Sequence, residues 1–395
     1  MKEPKIRFKG FRGEWETKNI ASVASLKAGV SIDTSKEISY QIQGYYPCYG
    51  GNGLRGYVSD YTHDGIYNII GRQGALCGNV RMATGKFHAT EHAVVVTPIK
   101  KLNPYFLFNV LTKANINQYA TGVAQPGLSV QNVNKRLYIN IPNFDEQQSI
   151  ASYFQHLDSL IQSTTKKIES LKQVKAASLQ SMFPQEGETT PRVRFKGFEG
   201  EWEKVLIGKM GVTYSGLSGK TKDDFGFGEA RFITFLNVLT NAKIDTSILE
   251  PVNVNRDEHQ NEVRKGDLLF NTSSETPEEV GMCAVMDEEL EKVYLNSFCF
   301  GFRVTENNID PTCVAYMMRS HIGRRIMSIL AQGATRYNLS KNSFCKAVLV
   351  LPKNIAEQRA IASYFTTLDS QITLQTQRLE KLKQIKSACL DNMFV

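Results

Sequence analysis

Residues 146–183 read EQQSIASYFQHLDSLIQSTTKKIESLKQVKAASLQSMF, and residues 357–394 read EQRAIASYFTTLDSQITLQTQRLEKLKQIKSACLDNMF. At this offset of 211, 21 of 38 positions are identical. In the first copy the apolar positions are Ile150, Phe154, Leu157, Ile161, Ile168 and Leu171, with Thr164 completing the order. In the second they are Ile361, Phe365, Leu368, Ile372, Leu379 and Leu382, with Gln375 in the corresponding place. Steps of four and three alternate, which is a heptad seam. Neither copy contains Gly or Pro. The spacing predicts two helices of about 37 residues, each a rod of roughly 55 Å. An amphipathic rod of that length must bury its stripe, and the natural partner is the other copy. After Leu171 and Leu382 the apolar series steps by three to Val174 and Ile385, which predicts a stammer-like shift. Lys166, Lys167, Lys172, Lys175, Arg378, Lys381, Lys383 and Lys386 fall on the opposite, solvated face.

A second repeat opens each half. Ile6-Arg7-Phe8-Lys9-Gly10-Phe11-Arg12-Gly13-Glu14-Trp15-Glu16 returns as Val193-Arg194-Phe195-Lys196-Gly197-Phe198-Glu199-Gly200-Glu201-Trp202-Glu203, at an offset of 187. Both tryptophans of the chain lie in this motif. The two offsets differ by 24 residues, and most of the intervening sequence does not match. The framework is duplicated while the inserts diverge, as expected of one scaffold carrying two different modules. Within the modules, short β-branched and aromatic runs such as 67–70, 93–97, 232–235 and 298–302 are broken by glycines, which predicts β-rich structure. Short helical stretches follow near 104–118 and 311–330, and 184–191 is a polar linker. The predicted fold class is α+β with an internal repeat. The expected division is a first module over 1–145, a helix over 146–183, linker and second module over 184–356, and a helix over 357–395.

Composition narrows the function. The chain has 395 residues, 42% hydrophobic and 22% charged, enough for two or three globular cores. No apolar run approaches the ~20 residues of a membrane span. The N-terminus leads into no apolar segment of signal-peptide type. Seven cysteines without a C-x-x-C pair argue against a disulfide framework or a thiolate zinc site and fit a reducing cytoplasm. Net charge is +8, split as +7 (21 − 14) over 1–190 and +1 (26 − 25) over 191–395. A positive excess attracts polyanions, nucleic acid above all.

Catalytic patterns fail on inspection. Gly51-Asn52-Gly53-Leu54-Arg55-Gly56 fits G-x-G-x-x-G but lacks a strand–helix setting, and reads as a glycine turn. Ser218-Gly219-Lys220-Thr221 resembles the end of a P-loop, yet Tyr214 stands where the first glycine is required. Asn103-Pro104-Tyr105-Phe106 is similar to an adenine methyltransferase motif without its second proline, and reads as a helix N-terminus. His63, His88 and His92 read as polar or structural residues rather than metal ligands. No catalytic and no metal-binding residue is assigned.

The layout resembles the specificity (S) subunit of type I restriction–modification systems, over essentially the whole chain. The opening Arg-Phe-Lys-Gly-Phe…Glu-Trp motifs carry the resemblance, with Glu146-Gln147…Ile150-Ala151…Leu157-Asp158 and their copies from Glu357. Tyr46-Pro47-Cys48-Tyr49-Gly50-Gly51-Asn52-Gly53 and Gly333-Ala334-Thr335-Arg336-Tyr337-Asn338-Leu339-Ser340 add to it. The resemblance implies two target recognition domains, each reading one half of a bipartite double-stranded DNA target. It implies that the long helices pair as an antiparallel coiled coil that sets the spacing. Two methyltransferase (M) subunits would use S-adenosylmethionine on a flipped adenine, and up to two restriction (R) subunits would use ATP and Mg. No cofactor is expected on this chain.

The physics agrees. One module discriminates by roughly 1–3 kcal/mol per good base contact. Two modules on a ruler multiply their selectivities across half-sites about 34 Å apart. Divergent inserts predict an asymmetric target. Candidate DNA-binding residues are long polar side chains near glycines: Arg72, Gln73, Arg81, Lys86, Gln125, Ser129, Gln131 and Asn132 in the first module. In the second they are Thr272, Ser274, Arg336, Tyr337, Asn338, Lys341 and Asn342. The segments from Gly122 and Gly333 occupy equivalent places and differ in sequence, as two readers of different half-sites require. A self-contained methyltransferase or nuclease, a scaffold that reads no sequence, and a methylation-only system remain the competing expectations.

Overall fold

A computed structural model describes residues 3–74, 76–121, 127–255, 257–333 and 335–395. Two long helices dominate, Phe144–Ser181 and Ile355–Met393. The chain forms two compact units. One comprises 1–166 with 376–395, the other 167–375. Each unit therefore holds one module, the first part of the helix that follows it, and the last part of the other helix.

In the first unit a six-stranded sheet runs in the order Ala24–Ala28, Ala93–Pro98, His63–Gly71, Val80–Ala89, Tyr46–Gly50, Gly53–Val58. All neighbours are antiparallel except Tyr46–Gly50 with Val80–Ala89. The helix Pro104–Lys113 follows, with the Asn103 side chain accepting from the N–H groups of Tyr105 and Phe106 and Pro104 at the first helical position. This is the predicted helix start. The second unit departs from the first in its sheets. Its module has a four-stranded sheet (Gly211–Ser215, Cys299–Val304, Leu268–Asn271, Cys283–Val285) and a three-stranded one (Glu250–Val252, Phe225–Ile233, Val293–Leu295). The common frame and divergent inserts expected from the repeats are both present.

The frame is held the same way in each unit. Arg7 donates to both carboxylate oxygens of Glu146 at 2.7 and 2.8 Å, and Arg194 to both of Glu357 at 2.6 and 2.8 Å. Both glutamates are 1% exposed. Gly13 and Gly200, at φ +85° and +80°, are left-handed, and their carbonyls accept from the same guanidinium groups at 2.6 Å. The paired carboxylate holds Arg7 and Arg194 more firmly protonated than usual. Strand Glu16–Asn19 then pairs with Tyr138–Ile141, and Glu203–Leu206 with Val348–Leu351. Gln147 and Gln358, buried beside the glutamates, accept from the N–H of Asn103 (3.0 Å) and Asp310 (2.7 Å), the N-caps of the module helices Pro104–Lys113 and Pro311–Arg319. Trp15 meets Phe394 edge-on, and Trp202 meets Phe183 edge-on, both at 6.2 Å.

The helices pair antiparallel within each unit. In the first, Tyr153 meets Cys389 and Asp158 meets Lys386; in the second, Lys175 meets Asp369 and Ser178 meets Tyr364. Ile150, Phe154, Leu157, Ile168, Ile361, Phe365 and Leu368 are buried, while Ile161, Leu171, Ile372, Leu379 and Leu382 are half-buried. The stammer is not found. Val174 is 44% exposed and Ile385 37%. The seam continues in strict heptad step through Lys175, Ser178 and Met182, and through Lys386, Cys389 and Met393. Polar residues occupy these positions because each meets a polar partner at the start of the other helix. Lys175 and Lys386 therefore leave the solvated face to which their charge had assigned them.

Two outcomes follow for unfolding by denaturant, read by tryptophan emission. Arg194→Ala strands Glu357 without its cation and is expected to cost about 3–5 kcal/mol. Ile168→Ala is expected to cost about 2–5 kcal/mol, whereas Val174→Ala stays within about 0.5 kcal/mol. The reverse order would restore the stammer.

Candidate nucleic-acid interface

The residues matched at offset 211 reach the modules at one place. Gly127-Leu128-Ser129 corresponds to Asn338-Leu339-Ser340, the entry to the short helices Val130–Arg136 and Lys341–Cys345. In the first unit Leu128 donates its N–H to Arg72 O at 2.7 Å, and Gln73 bridges Gly127. In the second, Leu339 donates to Thr272 O at 2.8 Å, and Ser273 pairs with Asn338. The same backbone clamp thus joins a sheet-end loop to the repeated helix entry in both units.

The second clamp collects most of the candidates. Ser274 pairs with Tyr337 next to the Ser273–Asn338 pair. Arg336 donates from Nε to Ser273 Oγ at 3.2 Å, and Lys341 from Nζ to Ser215 Oγ at 2.6 Å. Arg336, Asn338 and Asn342 are exposed. Thr272 and Lys341 are half-buried. Tyr337 packs against the core, and the buried Ser274 hydroxyl is taken up by Glu279 at 3.0 Å, so these two face inward. Glu275, Glu278 and Glu279 share the loop. Its face is mixed in charge, with acceptors as well as donors for base edges.

Two side chains hold this loop. Asn271 donates to the carbonyls of Ser273 (3.2 Å) and Glu279 (2.8 Å) and accepts from Met282 N–H. Arg324 donates to the carbonyls of Val280 and Gly281, and burial lowers its pKa to about 10. The half-buried guanidinium is hydrogen-bonded by carbonyl oxygens, and the charge of the Glu279 carboxylate partly offsets its desolvation.

In the first unit, Arg72 and Gln73 lie at the clamp. The glycine turn between Tyr46–Gly50 and Gly53–Val58 packs on it. A side chain at Gly51 would stand 2.9 Å from Gln73 O and 3.2 Å from His92 O, and one at Gly53 would stand 2.8 Å from the Arg81 guanidinium. Arg81 thus joins the cluster. Ser129 caps the following helix by accepting from Asn132 N–H at 3.3 Å. Asn132 is half-buried and Gln131 exposed on that helix. Lys86 does not join them. It lies five residues beyond Arg81 on the same strand, hence on the other face and roughly 17 Å away. Its ammonium sits over Tyr61, 4.6 Å from the ring centroid. Gln125 lies outside the described residues.

Sequence reasoning passed over three residues that the fold brings to the clamps: His92, Ser215 and Phe298. Their partners are set by strand pairing between segments outside the repeats, so no offset locates them. The other histidines are placed as structural residues. His88 is buried with Nε2 3.0 Å from Val30 O, and His63 stacks on Phe87. Lys220 of the P-loop-like tetrapeptide is paired with Glu258 at 2.6 Å. Among the described residues no His/Cys/Asp/Glu group is placed to hold a metal, and no helix is long and apolar enough to cross a membrane.

The family of type I restriction modification DNA specificity domains matches this chain twice, over residues 12–173 and 200–384. Each match contains one clamp. The chain belongs to that family. The type I restriction enzyme EcoprrI specificity subunit of Escherichia coli is 42% identical over 161 residues, which are 40% of this chain and 40% of that relative. The StySPI specificity subunit of Salmonella potsdam is 26% identical over 186 residues, 47% of this chain and 40% of the relative. The matches thus span less than half of these curated relatives. The crystal structure of a type I restriction–modification S subunit from M. genitalium superposes with a TM-score of 0.68 at 16% identity, over 100% of this chain and 99% of that one. The fold is that of a specificity subunit.

In this specificity chain the Asn271 amide is one of two side chains that hold the loop at 273–282. Asn271→Ala is expected to lower global stability by about 2–3 kcal/mol, since three backbone groups lose their partner. Amide hydrogen exchange should rise first at 273–282. Unchanged protection there would assign the loop's rigidity elsewhere.

Proposed function

We propose that this chain is the sequence-reading, non-catalytic subunit of a type I restriction–modification complex acting on double-stranded DNA in the cytoplasm of a prokaryote. Each unit reads one half of an asymmetric bipartite target. Two methyltransferase subunits, using S-adenosylmethionine, dock on the shared frame, and up to two restriction subunits bring ATP- and Mg-dependent chemistry. The observation that carries this reading is the repeated clamp: one backbone arrangement in two units, offering Arg72, Gln73, Arg81 and Gln131 on one side and Arg336, Asn338, Lys341 and Asn342 on the other. Arg and Lys pair with guanine edges, and Asn and Gln with adenine, so different side chains on one frame specify different half-sites. The helix pair supplies a spacer of defined length. A net charge of +8 supports association with the phosphate backbone.

The test is a methylome. The chain is expressed with its neighbouring methyltransferase subunit, and host DNA is sequenced for 6-methyladenine. A split, asymmetric motif with a fixed gap, lost when this chain is omitted, is the expected result. Methylation that persists without it, or an uninterrupted motif, would overturn the reading. Arg336→Ala should relax one half-site, by roughly five- to 150-fold for a lost bidentate contact, and leave the other intact. Equal loss at both halves would remove Arg336 from the reading surface.

A further inference from the structure

Phe298 is 59% exposed, while Phe270, Phe300, Phe302 and Phe344 of the same unit are buried together. It occupies the turn between Val293–Leu295 and Cys299–Val304. That turn is rigid. The Asn296 side chain accepts from Phe298 N–H at 2.8 Å, and Asn296 O accepts from Cys299 N–H at 3.0 Å. Gly216 lies so close beneath that a side chain there would stand 2.2 Å from Asn296 O. Thr272 then ties the turn to the clamp: its N–H donates to Phe298 O at 3.0 Å, and its carbonyl accepts from Leu339 N–H at 2.8 Å. The first unit repeats this with another side chain. Arg72 donates its N–H to His92 O at 2.9 Å and accepts from Leu128 at 2.7 Å. Phe298 and His92 therefore occupy equivalent places, one apolar and one polar.

Resting on the function proposed above, we propose that Phe298 is a specificity residue, reading the C5 methyl of one thymine in the half-site bound by the second unit. A phenyl ring has no hydrogen-bonding group and discriminates only by apolar contact. In the major groove the thymine methyl is the apolar mark that separates T·A from the other pairs. Lys341 on Ser215 and Arg336 on Ser273, next to Thr272, bring positive charge to the same clamp for phosphates and base edges. His92 in the other unit has no such preference, so the two half-sites differ at this position.

The experiment uses the complex of this chain with its methyltransferase subunits and duplexes carrying the split motif. Each thymine of the half-site relaxed by Arg336→Ala is replaced in turn by uracil, which removes the methyl alone. One replacement is expected to weaken binding about fourfold, the worth of one buried methyl. The Phe298→Ala complex should bind thymine DNA about fourfold more weakly and no longer tell uracil from thymine there. Phe298→His should lose the same distinction. Both variants should keep full discrimination at the other half-site and at the remaining base pairs of their own, which shows both units folded. If the wild-type complex binds the split motif but senses no uracil, or if Phe298→Ala senses it as well as wild type, the inference fails and the function stands. If no split motif is bound, both fall.

Discussion

A glutamate sits at the start of each long helix in surroundings that admit almost no water. A buried carboxylate is tolerable only against a cation that satisfies its oxygens. That constraint draws Arg7 onto Glu146 and Arg194 onto Glu357, across 139 and 163 residues of chain. Once the arginine is docked, the entry motif delivers Trp15 or Trp202 to the core and the next strand to its partner before the helix. The adjacent Gln147 and Gln358 fix the short helix at the far end of the module. Three ends of the module thus converge on one Glu-Gln dipeptide. Everything inserted between them is free to vary.

The cores show a second dependence. Phe394 closes the tryptophan cluster of the first unit and Phe183 that of the second, each with the phenylalanine of its own helix, Phe154 or Phe365. Each unit is completed by a residue just past the end of the helix that begins in the other. Polar seam contacts such as Ser178 with Tyr364 secure register. A misaligned pairing would strand these groups in an apolar seam, a stronger penalty than the lost contacts alone.

Function, in the reading proposed, is placed where the repeated frame and the divergent insert meet. The clamp uses only backbone N–H and C=O groups, so it is indifferent to the side chains beside it. Glutamine against glycine in one unit and serine against asparagine in the other make the same bridge. This separates the geometry of a reading loop from its chemistry. Asn271, buried, and Arg324, half-buried, hold the second loop through its backbone groups, so they too are indifferent to the loop's own side chains.

The duplication, the two long helices, the polar linker and the family were legible in the sequence, because periodicity and identity are properties of order along the chain. The heptad positions from Ile150 to Leu171 and from Ile361 to Leu382 followed from the spacing alone. Beyond them the apolar pattern misled. Val174 and Ile385 look like seam residues, yet Lys175 and Lys386 take the seam, because aspartates on the other helix await them. A pattern in one helix carries no record of charge on another. The candidate site divides similarly. Arg336, Asn338 and Lys341 stand in or beside a matched segment and could be found there. Ser274 is polar by sequence but spent inside, on Glu279, while Ser129 serves as a helix cap. Lys86 is set apart by five residues of strand. His92 and Phe298 carry no motif at all. Their equivalence exists only in space, because strand pairing between unmatched segments brings them to the same hydrogen bond.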